Sequence, residues 1–210
     1  MQRIFVNAEH PDDAAVAPAV EVLRQGGVVA FPTDTLYGLA VDPRSDAAVA
    51  KLFALKGRGA RVAVPLIGSS IEQVLLAGGH GTIGAVERRV ADAFWPGPLS
   101  IVIRPSAALA RGVLGGETTV AVRVPAHPVA RQLAAAFGFC VTATSANPTG
   151  SAPAASADDV AAILPEVDLL LDGGDAPGGA PSTIVGFDSN GPVLLRAGAI
   201  AWERVLKSLQ

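Results

Sequence analysis

The chain has 210 residues, half of them hydrophobic and 17% charged, with a formal net charge of −3. This length fits one domain that buries roughly 70% of its unfolded surface, and the composition excludes a disordered chain. The acidic balance excludes a global basic field for nucleic acid but leaves room for a local basic cavity.

The lone cysteine, Cys140, excludes an internal disulfide framework and a cysteine-based zinc site. In the run Phe139-Cys140-Val141 it reads as a small buried hydrophobe. No apolar run approaches the roughly 20 residues of a membrane span. Met1–Asn7 lacks the apolar core and cleavage pattern of a leader. A soluble, reducing, cytoplasmic setting is expected.

In chain order, Ile4–Val6 reads as a first strand. Asp12 or Asp13 caps a helix to about Gln25, with Val16, Val20, Val22 and Leu23 apolar and Gly26-Gly27 as its stop. A short apolar strand over 28–31 ends at Pro32, which cannot donate to a ladder. The polar segment Thr33-Asp34-Thr35-Leu36-Tyr37-Gly38 follows at once. Ser45 or Asp46 caps a helix from Ala47 to about Leu55, closed by Lys56-Gly57-Arg58-Gly59.

Val62–Ile67 is strand-like, and Pro65 argues for an edge or an irregular ladder. A short helix capped by Ser69 or Ser70 runs through Leu76, and a longer one spans about Ile83–Phe94 before Trp95-Pro96-Gly97-Pro98. Leu99–Arg104 and Val120–Val124 are further strands. His127-Pro128 starts a helix to Phe137. Cys140–Thr144 is a strand, Ala157–Leu164 a helix and Asp168–Leu171 a strand. Gly173–Pro181 is a loose loop able to move. Ser182–Phe187 and Val193–Arg196 form a hairpin, and a helix over about Ile200–Leu209 ends the pattern. Strands and helices mix without strict alternation, so a mixed α/β sheet with helices on its faces is expected. No linker or internal repeat divides the chain, which reads as one domain, 1–210.

Polar groups punctuate the strand ends. Lys56 and Arg58 either complement the dipole of their helix or aim at phosphates. Ser145 and Asn147 follow a strand, where turn chemistry and ligand binding are both at home. Ser182-Thr183 and Arg196-Ala197-Gly198 are further such points. Arg123 lies inside an apolar strand, so it either pairs with a core carboxylate or faces a cavity that receives an anion; the cavity is preferred. Gly79-His80-Gly81-Thr82-Ile83-Gly84 matches G-x-G-x-x-G but follows a helix-like segment, and reads as chance. No P-loop and no G-x-S-x-G elbow is present, and His10, His80 and His127 lack metal-ligand spacing.

In order, Pro32-Thr33-Asp34-Thr35-Leu36-Tyr37-Gly38-Leu39, Lys56-Gly57-Arg58, Trp95-Pro96-Gly97-Pro98-Leu99, Val122-Arg123-Val124-Pro125, Ser145-Ala146-Asn147, Ser182-Thr183-Ile184 and Leu195-Arg196-Ala197-Gly198 form a specific set. The set resembles the YrdC/TsaC family, the L-threonylcarbamoyladenylate synthases, over about residues 15–200. The resemblance implies a twisted mixed parallel and antiparallel sheet with a large concave, positively charged cavity. It implies ATP-dependent synthesis of threonylcarbamoyl-AMP from L-threonine and bicarbonate, with release of pyrophosphate and with Mg²⁺ accompanying ATP. The product would feed a threonylcarbamoyltransferase complex acting on adenosine 37 of tRNA.

It further implies Lys56, Arg58 and Arg196 at the phosphates, with Lys56 and Arg58 as catalytic charges. Ser145, Asn147 and Ser182 would also bind the nucleotide, and Thr33, Thr35 and Arg58 the amino acid. Arg123 would hold bicarbonate or a phosphate. The chain resembles the short form, without the extra C-terminal domain of longer relatives. It departs from the family pattern at Gly59, where relatives carry proline, at Ser69, where many carry histidine, and at Ser100, where threonine is common. Two other functions compete. A non-catalytic RNA-binding module is disfavoured by the charge and by only 5% aromatics. A carbamoyl-transfer module of the hydrogenase-maturation type would carry cysteine-rich zinc motifs.

Overall fold

The computed structural model describes residues 1–57, 59, 62–78, 83–105 and 108–210. Eleven strands and eight helices occur among the described residues. They form two mixed sheets rather than the one sheet expected.

The first sheet is built from β1 (Gln2–Phe5), β2 (Val29–Phe31), β3 (Gly38–Ala40), β8 (Thr144–Ser145) and β9 (Leu169–Asp172), in spatial order β1-β9-β2-β3-β8. β9 is parallel to both β1 and β2, and β3 is antiparallel to β2 and β8. The second sheet contains β4 (Leu66–Ile67), β5 (Leu99–Ile103), β6 (Val120–Arg123), β7 (Val141–Thr142), β10 (Thr183–Asp188) and β11 (Gly191–Arg196), in order β11-β10-β5-β6-β4-β7.

The two sheets meet where the chain leaves β7 for β8. Leu66 pairs with Thr142, and two residues later Thr144 pairs with Leu39. Between them Ala143 N–H donates to Pro65 O at 2.8 Å. The strand expected over 140–144 is therefore split into two short strands, one in each sheet.

The expected helices form, with boundaries moved by one or two residues. α1 (Asp13–Arg24) is capped by Asp12, whose carboxylate accepts Ala15 N–H at 2.7 Å. α2 (Asp46–Lys56) is capped by Ser45 and ends at Gly57, whose φ of 57° is the left-handed conformation that glycine adopts without penalty. α3 (Ile71–Gly78), α4 (Ala85–Phe94), α6 (Pro128–Phe137), α7 (Ala157–Ile163) and α8 (Trp202–Lys207) complete the expected set. The single-turn α5 (Arg111–Leu114) was not expected, because a turn bounded by Gly115 carries no helical periodicity. β3 was not expected either, since Gly-Leu-Ala reads as strand only once β2 lies beside it. Val62–Val64 stay outside β4, and Val64 N–H instead meets Val113 O at 2.9 Å.

β2 and β9 read as continuous apolar runs because they are covered on both faces. Ala30 and Leu170 point into one core cluster with Leu39, Leu52 and Leu66, while Val29, Phe31, Leu169 and Leu171 point into the other. α1 and α6 close the second cluster with Val16, Val20, Leu23, Leu133 and Phe137. Leu133 is fully buried there, so Leu133→Ala costs about 2–5 kcal/mol. None of the described helices is long and apolar enough to cross a membrane.

Candidate active site

The ends of β2, β6, β8 and β11 converge on one cavity of about 810 Å³. That volume suits a nucleotide-sized ligand with a small second substrate. Its lining includes Thr33, Thr35, Ser100, Arg123, Ser145, Ser182 and Arg196. Side chains from widely separated parts of the chain thus share one hollow.

The floor begins at Pro32, where β2 stops. Thr33 Oγ1 donates to Leu36 O at 2.6 Å and accepts the N–H groups of Thr35 and Leu36 at 3.2 and 3.3 Å. The Thr33 hydroxyl therefore shapes the loop as well as lining the cavity. Thr35 Oγ1 lies 3.1 Å from it, and both threonines are buried. The loop reverses into β3, where Gly38 faces Phe31; a Cβ there would lie 3.1 Å from the ring.

Behind Ser145 lies the Lys56 ammonium, only 3% exposed. It donates to Ser145 O, to Asn147 O at 2.7 Å and to Asn147 Oδ1 at 3.3 Å. Ser145 Oγ donates to Asn147 Oδ1 at 2.5 Å, and Asn147 Nδ2 donates to Ser151 O at 2.6 Å. Lys56, expected to meet phosphates, is engaged with the 145–147 turn and is not among the described lining residues; Asn147 is not among them either. A buried ammonium held this way stiffens the turn and places a positive charge directly beneath Ser145. Arg58 lies outside the described residues, as does His80 of the G-x-G-x-x-G match.

On the opposite wall Arg196 Nη2 donates to Ser182 O at 2.7 Å and to Ser182 Oγ at 3.0 Å, and Nε donates to Ser182 O at 3.1 Å. Ser182 Oγ is also 3.0 Å from the buried Ser100 Oγ. Arg196 keeps contact with solvent, yet the atoms packed around it lower its pKa, and the nearby charge of Arg123 lowers it further. Gly198 makes this wall possible. Its backbone lies so close to Pro181 that a Cβ would come within 2.2 Å of Pro181 O.

For Arg123 the structure shows a carboxylate partner and a cavity together. Its guanidinium lines the cavity, and its Nη1 donates to Asp34 Oδ1 at 2.7 Å. The preference for a cavity over a carboxylate partner is therefore incomplete, because a guanidinium this buried also calls for an acidic partner. Burial lowers the Arg123 pKa, and Asp34 opposes that shift. Arg123 and Arg196 are the charged side chains of the described lining, and Asp34 compensates one of them. The cavity is thus electropositive inside a chain of net charge −3.

Two further features escaped the sequence reading. Asp34 appeared only as a polar residue of the loop, although a cation inside an apolar strand calls for an acidic partner. Tyr37 is fully buried, its hydroxyl donates to Gly174 O at 2.6 Å, and burial pushes its pKa up to about 12. It pins the base of the 173–181 segment, whose Gly179 and Pro181 reach the cavity.

A mixed α/β fold with a basic cavity at its strand ends defines a class, and the comparisons agree with it. The Sua5/YciO/YrdC family model, described as "Telomere recombination", matches residues 21–198. The chain belongs to this family. It is 44% identical over 159 residues to the threonylcarbamoyl-AMP synthase of Halorhodospira halophila, covering 75% of this chain and 82% of that one. It is 43% identical over 172 residues to that of Chromohalobacter salexigens, covering 80% and 90%. The crystal structure of Pyrococcus abyssi Sua5 complexed with L-threonine superposes with a TM-score of 0.92 at 34% identity. It covers all of this chain, which spans 61% of that longer protein.

Proposed function

We propose that the chain makes threonylcarbamoyl-AMP and pyrophosphate from L-threonine, bicarbonate and ATP. The observation that supports this most directly is the gathering of Thr33, Thr35, Arg123, Ser145, Ser182 and Arg196 on one electropositive cavity. The curated relatives carry the synthase name, and one superposing relative was solved with L-threonine.

The chemistry needs no protein nucleophile. The threonine amine adds to bicarbonate with loss of water, giving a carbamate. A carbamate oxygen then forms a bond to the α-phosphorus while the bond to pyrophosphate breaks. Catalysis is positioning and charge stabilisation. Arg196 neutralises the polyphosphate. Ser145 and Ser182 hold it by neutral hydrogen bonds, on a turn that Lys56 and Asn147 keep rigid. Thr33 and Thr35 contact the amino acid. Arg58 is assigned to the phosphates and the threonine carboxylate by its place in the motif.

Mg²⁺ would accompany ATP and supply charge neutralisation at the phosphates, held mainly by phosphate oxygens and water with at most one or two protein carboxylates. No group of three His, Cys, Asp or Glu side chains assembles among the described residues. The labile carbamate requires water exclusion, which the 173–181 segment supplies. The adenylate passes to a threonylcarbamoyltransferase complex that modifies tRNA, and a cytoplasmic setting goes with that reading.

The test is incubation with ATP, bicarbonate and each amino acid in turn, followed by mass detection of the adenylate. Threonine alone is expected to give the product together with equimolar pyrophosphate. Equal activity with serine would overturn the assignment of the threonine pocket, and no adenylate with any amino acid would overturn the reaction.

A further inference from the structure

Asp34 has no part in the roles assigned above, yet both of its oxygens are used. Oδ1 accepts Arg123 Nη1 at 2.7 Å, and Oδ2 accepts Ala126 N–H at 3.2 Å, in the turn between β6 and α6. Its neighbours Thr33 and Thr35 line the cavity. One side chain therefore ties the threonine loop to the end of β6 and fixes the guanidinium that lines the same hollow.

The pair is well withdrawn from solvent, with the side chains of Arg123 and Asp34 only 8% and 11% exposed. An unpaired guanidinium at that depth is strongly unfavourable. Held by a carboxylate on one side, it keeps further N–H donors of its rigid fork for a ligand. A planar anion with two oxygens matches that fork. Arg196 differs, having no carboxylate partner among the described residues, and it is the cation suited to a polyphosphate.

We infer that Asp34 is a positioning residue that holds Arg123 as the receptor for a planar carbon-centred oxyanion, either bicarbonate or the amino-acid carboxylate. This rests on the synthase reading, in which Arg123 already faces an anion, and adds to it the residue that orients Arg123 for that anion.

The experiment measures pyrophosphate release by wild type, Asp34→Asn, Arg123→Met and the double variant, varying bicarbonate, threonine and ATP in turn. For Asp34→Asn the KM of one planar substrate is expected to rise about tenfold or more, because a charge-assisted contact loses its geometry. Its kcat and its KM for ATP are expected to stay within about threefold of wild type. A rise confined to bicarbonate names bicarbonate as the ligand, and one confined to threonine names the carboxylate. The double variant is expected to be no worse than Arg123→Met alone, since Asp34 acts through Arg123. Asp34→Asn leaves a buried cation and can fail to fold. The double variant buries no charge, so its own KM pattern then decides the matter. Unchanged KM values, an equal rise for ATP, or additive losses in the double variant would overturn the inference. A wild type without threonine-dependent pyrophosphate would overturn the synthase reading instead.

Discussion

The two walls of the cavity are built on opposite plans. On the β8 side, Lys56, Ser145 and Asn147 are tied to one another and to the backbone, and the ammonium is almost sealed from water. On the β10–β11 side, Arg196 leans on Ser182 at an exposed sheet edge, beside a glycine-rich segment. On the proposed function, charge buried under a turn would serve structure and catalysis together, whereas charge at an open edge would serve chiefly the ligand. Substitutions on the two walls should therefore separate stability from activity.

The largest effect is expected for Lys56→Met. It leaves Ser145 O and Asn147 O without their charged donor, which should cost about 2–3 kcal/mol in thermal or denaturant unfolding. Activity should fall about a hundredfold or more as the charge below Ser145 disappears. Arg196→Ala should match that loss of activity while changing stability by less than about 1 kcal/mol. Similar stability losses for both variants would erase the distinction between the walls.

Tyr37→Phe comes next. It frees Gly174 O at the base of the 173–181 segment and should cost about 1 kcal/mol. Its signature is uncoupling: more pyrophosphate released per adenylate recovered, as water attacks the α-phosphorus of ATP or hydrolyses the adenylate and leaves AMP. An unchanged ratio would mean that this segment does not keep water out.

The smallest effect is a pH dependence at the first turn of α6. His127 Nδ1 accepts Val129 N–H at 3.2 Å, and burial lowers the His127 pKa below its ordinary 6.5. The unfolded chain then binds the extra proton more readily, so the contribution is complete above pH 6.5 and shrinks as pH falls below it. A melting temperature that declines from pH 7 to pH 5, with a smaller decline in His127→Gln, is the expected result.

Much of this was legible in the residues themselves. Apolar period, capping residues and glycine stops gave the helices and most strands, because caps and periodicity are local chemistry. The motif pieces gave the polar residues at strand ends. Pairing across long separations was not legible. β3 exists only because β2 lies beside it, and the 140–144 run divides because its two halves meet different partners. The depth of Lys56 and the Asp34 partner of Arg123 were hidden for the same reason, since each joins residues about 90 positions apart.

The amino-acid order by itself therefore determined which elements form and which side chains carry charge and hydroxyls. Only the tertiary structure decided which of two arginines is compensated, which cation lies beneath a turn and which faces the hollow. The physical reason is that burial and pairing are set jointly by distant segments, and a charge acquires its role from what surrounds it once water has been removed.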